Sequence, residues 1–147
     1  MGLPRAVLLR RIRNDLDALR TVRCIPVPEF PDDVGFPLTI DITLNGVRGY
    51  SAPGQEVCDH RLSVYLSEDY PYERPRLRWR SPIFHPNIMS PEEGGLVCVM
   101  AMDRWGFDSD LVSFVDALTD LIKNPNPHDP LASDSCRAAA EWFAGRI

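Results

Sequence analysis

The sequence predicts a single α+β domain spanning residues 1–147, and three observations predict it. A leading segment places leucines and isoleucine at helical spacing, a middle stretch alternates apolar and polar residues with period two, and two helical segments, the first with a wide apolar stripe, close the chain. A length of 147 residues, 44% of them hydrophobic and 25% charged, allows one compact core and leaves little room for a second.

Each element has its own reason. Pro4 suits a first helical position, and Leu8, Leu9, Ile12, Leu16 and Leu19 recur on one face, which predicts an amphipathic helix over about residues 4–20. The proline-rich run from Ile25 to Pro37 reads as an irregular connector. Leu38, Ile40, Ile42 and Leu44 then alternate with Thr39, Asp41 and Thr43, a half-buried strand that Asn45-Gly46 is expected to close into a tight hairpin with a strand starting at Val47. Ser51 to Gly54 reads as a loop. Leu62, Val64 and Leu66 mark another strand, and Leu77 and Trp79, alternating with Arg76, Arg78 and Arg80, mark the last. The short connections favour an antiparallel meander. Beyond the loop from Ser81 to Trp105, Asp108, Ser109 and Asp110 offer caps for a helix striped by Leu111, Val112, Phe114, Val115, Leu118, Leu121 and Ile122. Asn124-Pro125 ends it, and Ser133 to Ala144, closed by Gly145, predicts a last short helix.

The net charge of −5 argues against nucleic acid as a main partner. Residues 1–23 nevertheless carry six arginines against two aspartates, which reads either as a solvated helix face or as a docking surface for an acidic protein. The cysteines at 24, 58, 98 and 136 form no C-x-x-C pair and share no zinc-ligand spacing with His60, His85 or His128, so free thiols and no metal are expected. No signal peptide, myristoylation pattern or membrane-length run is present, and a cytoplasmic location is expected. Of the sixteen basic residues only Lys123 is a lysine. Codon bias explains this, and so would an enzyme that presents an amine-reactive thioester and offers few amines of its own.

The chemistry concentrates between Ser81 and Trp105. Cys98 sits in a loop beyond the last strand, behind Gly94-Gly95, and a thiolate there is a good nucleophile whose thioester is a good acyl donor. Asn87 is either an N–H donor to the oxyanion of an attacked thioester or a turn-stabilising amide after Pro86. His85 is either a general base or a histidine satisfied by backbone. Asp129, in a proline-held turn, either receives a proton from an incoming amine or serves as a helix-start carboxylate.

His85-Pro86-Asn87, then Cys98, then Trp105, then Asn124 to Leu131 (NPNPHDPL), with Tyr70-Pro71-Tyr72 and Pro75 ahead of the last strand, resemble the ubiquitin-conjugating enzymes over nearly the whole chain. The resemblance implies an N-terminal helix, a four-stranded antiparallel meander, an active-site loop and two C-terminal helices. It implies that an activating enzyme, which consumes ATP, passes a ubiquitin or ubiquitin-like C-terminus to Cys98, and that a lysine amine of a target protein attacks the thioester. No cofactor is bound by such a chain. Asn87 then takes the oxyanion or loop-ordering role, Asp129 positions or deprotonates the lysine, and His85, Pro86 and Trp105 support the site. Arg5, Arg10, Arg11 and Arg13 match the surface that docks the activating enzyme, and Tyr72 lies in a loop that meets ligases. The chain departs from the family in three places. Pro91-Glu92-Glu93 lengthens the run from Asn87 to Cys98, which leaves the placement of Asn87 against the thiol open. Gly106-Phe107-Asp108 replaces the Ser-Pro-Ala of ligase-binding members. The chain stops at Ile147, about one helix short of many relatives. These departures fit a divergent member, of the kind found in bacterial or archaeal ubiquitin-like systems. Two other readings remain open, a non-catalytic modifier-binding relative of the same fold and a cysteine hydrolase pairing Cys98 with His85 or His128.

Overall fold

The structure, a computed structural model, describes residues 2–98, 104–106 and 108–146. In chain order it contains α1 (Arg5–Val22), β1 (Leu38–Leu44), β2 (Gly49–Ala52), β3 (Gln55–Val57), β4 (His60–Leu66), β5 (Arg76–Trp79), a 3-10 turn (Pro91–Glu93), α2 (Leu111–Lys123) and α3 (Asp134–Ala144). Helix, strands, loop, helix, helix is the order expected.

The sheet differs from the expectation. Among the described residues it has three strands in the order β1-β4-β5, all antiparallel, and β2 pairs with β3 in a separate two-stranded hairpin. Asn45-Gly46 therefore does not close a hairpin of paired strands, although Gly46 has the left-handed φ of 75° that such a turn uses. Side-chain pairing gives the reason. Leu38, Ile40 and Ile42 lie opposite Leu66, Val64 and Leu62, apolar against apolar on the buried face. Tyr50, Ser51 and Ala52 stay half-exposed and have no such row to offer. The returning chain instead pairs with itself around Pro53-Gly54, the stretch expected to be only a loop.

The buried face of the sheet meets α1 through Leu8, Ile12, Leu16 and Leu19, and α2 through Leu111, Phe114, Val115, Leu118 and Ile122, in one continuous core. The outer face is a polar ladder: Ser63 donates to Asp41 at 2.7 Å, and Arg80 donates to the Ser63 and Tyr65 hydroxyls at 3.0 and 2.9 Å. Asp110 caps α2 and forms a reciprocal box with Ser113. Ser133 caps α3, whose Trp142 and Phe143 pack edge-on to Tyr50 of β2 at 5.0 and 5.6 Å between ring centroids.

One buried polar cluster interrupts the apolar stripe of α1. Asp15 lies on the apolar stripe of α1, three residues after Ile12 and four before Leu19, and it is only 6% exposed. It accepts from the Tyr70 hydroxyl and from Arg11, whose own Nη2 donates to the Ser109 carbonyl at 2.6 Å. Burial pushes the Asp15 carboxyl above its usual range, against the pull of Tyr70 and Arg11. The cluster ties α1 to the β4–β5 connection and to the start of α2. Tyr70→Phe should leave Asp15 short of a donor and cost about 1–3 kcal/mol, read as a lower urea midpoint at unchanged slope; an unchanged midpoint would show that water replaces the hydroxyl.

Candidate active site

The segment 85–98 is built on a buried tripeptide. His85, Pro86 and Asn87 are all buried, with His85 and Asn87 each 2% exposed. The Nε2–H of His85 donates to the Leu121 carbonyl at 2.7 Å near the end of α2, and its Nδ1 accepts the Asn87 backbone N–H at 3.0 Å. Both ring nitrogens are thus engaged, which sets one neutral tautomer. Burial draws the imidazole down to about 4, so it stays uncharged at neutral pH. Of the two roles open to His85, the geometry supports scaffold rather than base. A hydrolase pairing Cys98 with His85 thereby lacks its base.

Asn87 reaches into the turn that follows α2. Its Nδ2 donates to the Asn126 and Asp129 carbonyls at 3.2 and 3.1 Å, and its Oδ1 accepts the Asn126 N–H at 2.8 Å. Both amide hydrogens are taken, so the side chain in this arrangement orders the turn and is not free to face an oxyanion. Pro86 adds its carbonyl, which accepts the Leu131 N–H at 3.0 Å. The Asp129 carboxylate remains exposed on the turn that these bonds hold.

The backbone of Asn87 points the other way, to Cys98. Its carbonyl accepts the Cys98 N–H at 2.9 Å, Met89 N–H donates to Leu96 at 2.8 Å, and Ile88 bridges Val97 antiparallel. These contacts form a short ladder between residues 87–89 and 96–98. Pro91, Glu92 and Glu93, the residues expected to lengthen this run, form a 3-10 turn looped out beyond the ladder, so they do not separate Asn87 from Cys98. Gly95 makes the return possible. It has φ 65°, and a Cβ there would lie 2.5 Å from the Trp79 carbonyl oxygen. Its own carbonyl accepts the Trp79 N–H at 2.8 Å, which docks the loop onto β5. Cys98 is half-buried, with Leu96 beside it 53% exposed.

Trp105 donates from Nε1 to the Pro71 carbonyl at 2.8 Å and packs against Tyr70 and Phe114, which anchors the chain beyond Cys98 to the core. Val99 to Asp103, within the Ser81–Trp105 stretch, and Phe107, in the Gly106-Phe107-Asp108 replacement, lie outside the described residues. Tyr72 is 56% exposed. Three of the four arginines expected to dock a partner are held by the chain itself. Arg5 donates to the Asp32 and Val34 carbonyls at 2.8 Å each, Arg13 to the Asp32 carboxylate at 2.6 Å, and Arg11 to Asp15 and Ser109. Arg10 is exposed. Among the described residues no cluster of three or more His, Cys, Asp or Glu could hold a metal ion, and no helix is long and apolar enough to cross a membrane.

Comparison with known proteins supplies the family. A model described as ubiquitin-conjugating enzyme matches residues 51–142. The ubiquitin-conjugating enzyme E2 N of Drosophila melanogaster is 35% identical over 94 residues, covering 56% of this chain and 60% of that protein. The ubiquitin-conjugating enzyme E2 13 of Saccharomyces cerevisiae is 34% identical over 83 residues, covering 56% and 50%. The chain spans about half the length of the curated relatives it matches. Among solved structures, S. cerevisiae Ubc12 superposes with a TM-score of 0.66 at 26% identity, covering 95% of this chain and 77% of that one.

The buried imidazole carries a pH signature. An unfolded histidine titrates at 6.5 and the native His85 at about 4, so within that window the unfolded chain binds a proton that the native one does not. Stability contributed by His85 is full above 6.5 and falls by up to about 3 kcal/mol as the pH drops toward 4. The buried His60, also lowered by burial, acts in the same direction. Urea unfolding between pH 7 and 4.5 should show this decline, and His85→Gln should make it shallower, leaving the part due to His60.

Proposed function

The chain belongs to the ubiquitin-conjugating enzyme family, and on that premise we propose that it is an active transferase with Cys98 as the thioester nucleophile. The Cys98 thiolate attacks the carbonyl that joins the modifier's C-terminus to an activating enzyme, and the activating enzyme's sulfur leaves. ATP is consumed upstream, in making that first thioester. A lysine amine of the target then attacks the Cys98 thioester, the C–S bond breaks, an amide forms and the Cys98 thiolate is released. The amine's proton passes to the Asp129 carboxylate, or to water that Asp129 orients.

One observation carries this reading: a single buried residue, Asn87, bonds the Cys98 N–H through its backbone and the Asp129 turn through its side chain. Nucleophile and acceptor carboxylate come from distant parts of the sequence and are held through one shared partner. That is the requirement of a reaction whose acceptor arrives from outside and must meet both. Asn87 acts here by ordering the turn. His85, Pro86 and Trp105 fix the frame. The modifier is ubiquitin or a ubiquitin-like protein, and the activating enzyme docks on the α1 face through Arg10 with the backbone-held Arg5, Arg11 and Arg13 around it. A ligase, where one is used, meets the exposed Tyr72.

Purified protein with activating enzyme, modifier and ATP should form an adduct that a thiol reductant removes. In Cys98→Ser the adduct should become a reductant-resistant ester; an unchanged reductant-sensitive adduct would place the thioester elsewhere. Binding of the modifier without any adduct would favour a non-catalytic role. Asp129→Ala should slow discharge to lysine by about 10²–10⁴-fold, the range of a lost acid–base group, while loading stays near wild type. Equal loss in both steps would make Asp129 structural only.

A further inference from the structure

The residues that lengthen the Asn87–Cys98 run carry a tie of their own. Glu93 ends the 3-10 turn Pro91–Glu93, and its carboxylate lies on Ser135 in the first turn of α3. Oε2 accepts the Ser135 N–H at 3.0 Å; Oε1 accepts the Ser135 hydroxyl and, at 3.1 Å, the Ser90 hydroxyl. The Ser90 N–H returns a bond to the Ser135 hydroxyl oxygen at 3.4 Å. A helix start has unpaired N–H groups and favours negative charge, so the carboxylate suits this place. Its pKa is held down to about 2, first by the Ser135 hydroxyl and then by the Ser135 N–H.

The two segments so joined are the two that the proposed reaction needs together. On one side, Ser90 also accepts the Gly95 N–H at 3.0 Å, and Gly95 leads into the ladder strand that ends at Cys98. On the other, α3 begins five residues after Asp129, with the Leu131 N–H already bonded to Pro86. We infer that Glu93 is a positioning residue for the Cys98 centre: it holds the loop leading into Cys98 in register with the segment that carries Asp129, as a second tie beyond Asn87. This rests on the reading of Cys98 as a thioester nucleophile. Glu93 touches no reacting atom and works through the loop. Loading needs the thiol alone, whereas discharge needs thiol and carboxylate in register, so loss of the tie falls on discharge.

The test uses the full chain and the variants Glu93→Ala and Glu93→Gln. Three rates are measured: loading from the activating enzyme, discharge of the loaded enzyme to free lysine, and alkylation of Cys98 by iodoacetamide. Peptide mass separates Cys98 from the exposed Cys24 and Cys58. Glu93→Ala should load near the wild-type rate, discharge about tenfold more slowly, and alkylate at Cys98 several-fold faster. Glu93→Gln keeps an acceptor oxygen for Ser135 and should recover part of the loss. Wild-type discharge and alkylation in Glu93→Ala would overturn the inference. So would loading and discharge falling together in proportion to unfolded protein. Should Glu93→Ala not fold, Ser135→Ala, which leaves the Ser133 cap in place, must show the same split. If the wild type itself never loads, the thioester reading fails on its own, and unchanged Cys98 alkylation in the variant then decides against the tie.

Discussion

Asn87 has every polar group of its backbone and side chain bonded: the N–H to His85, the carbonyl to Cys98, both Nδ2 hydrogens to the Asn126 and Asp129 carbonyls, and Oδ1 to the Asn126 N–H. It does so at 2% exposure, where an unsatisfied polar group costs about 1–3 kcal/mol. Moving any one partner away leaves a donor or acceptor of this buried residue unmatched. Three stretches of chain are therefore locked to one another: the ladder ending at Cys98, the turn after α2, and, through His85, the end of α2 itself. The arrangement of the site follows from this one residue and the proline-stiffened chain on either side of it.

The looped-out residues illustrate how hydrogen-bond register overrides sequence spacing. Eleven positions separate Asn87 from Cys98, and counting alone leaves their mutual placement open. The ladder pairs 87–89 with 96–98, so anything between is an excursion whose length does not matter to the pairing. What does matter is the return. At Gly95 the chain passes so close to β5 that no side chain fits, and Glu93 pins the tip of the excursion to α3. The excursion thus brings its own partner, the Glu93 carboxylate on Ser135.

The arginine-rich helix teaches the opposite lesson about composition. Six arginines in the first 23 residues suggest a surface awaiting an acidic partner. The folded chain satisfies Arg5 and Arg13 with carbonyls and a carboxylate of its own connector, Arg20 with the Val27 carbonyl and Asp17, and Arg23 with Asp116 of α2. A proline-rich segment cannot form ladders and leaves carbonyls unpaired, and long guanidinium forks reach them. Much of the positive charge is therefore consumed in attaching an irregular connector to a helix. Asp15 is one of the two aspartates set against those arginines. Its position on the Ile12–Leu19 stripe was the available signal that it is buried, and the tyrosine that answers it lies 55 residues away in sequence.

Periodicity by itself determined the class of this protein: the helical stripes, the period-two strands and the caps at Asp110 and Ser133 are local physics, decided within one or two turns of chain. The His-Pro-Asn, Cys98 and NPNPHDPL segments likewise marked out the candidate site, because those residue types are local too. Tertiary structure alone decided which strand pairs with which, since Leu38, Ile40 and Ile42 must choose partners across a gap that no short-range rule specifies. It alone turned Asn87 toward the Asp129 turn, withdrew His85 into the core and placed Glu93 on α3. Each of these is a hydrogen bond between residues dozens of positions apart, and the sequence records the donors and acceptors without recording which ones meet.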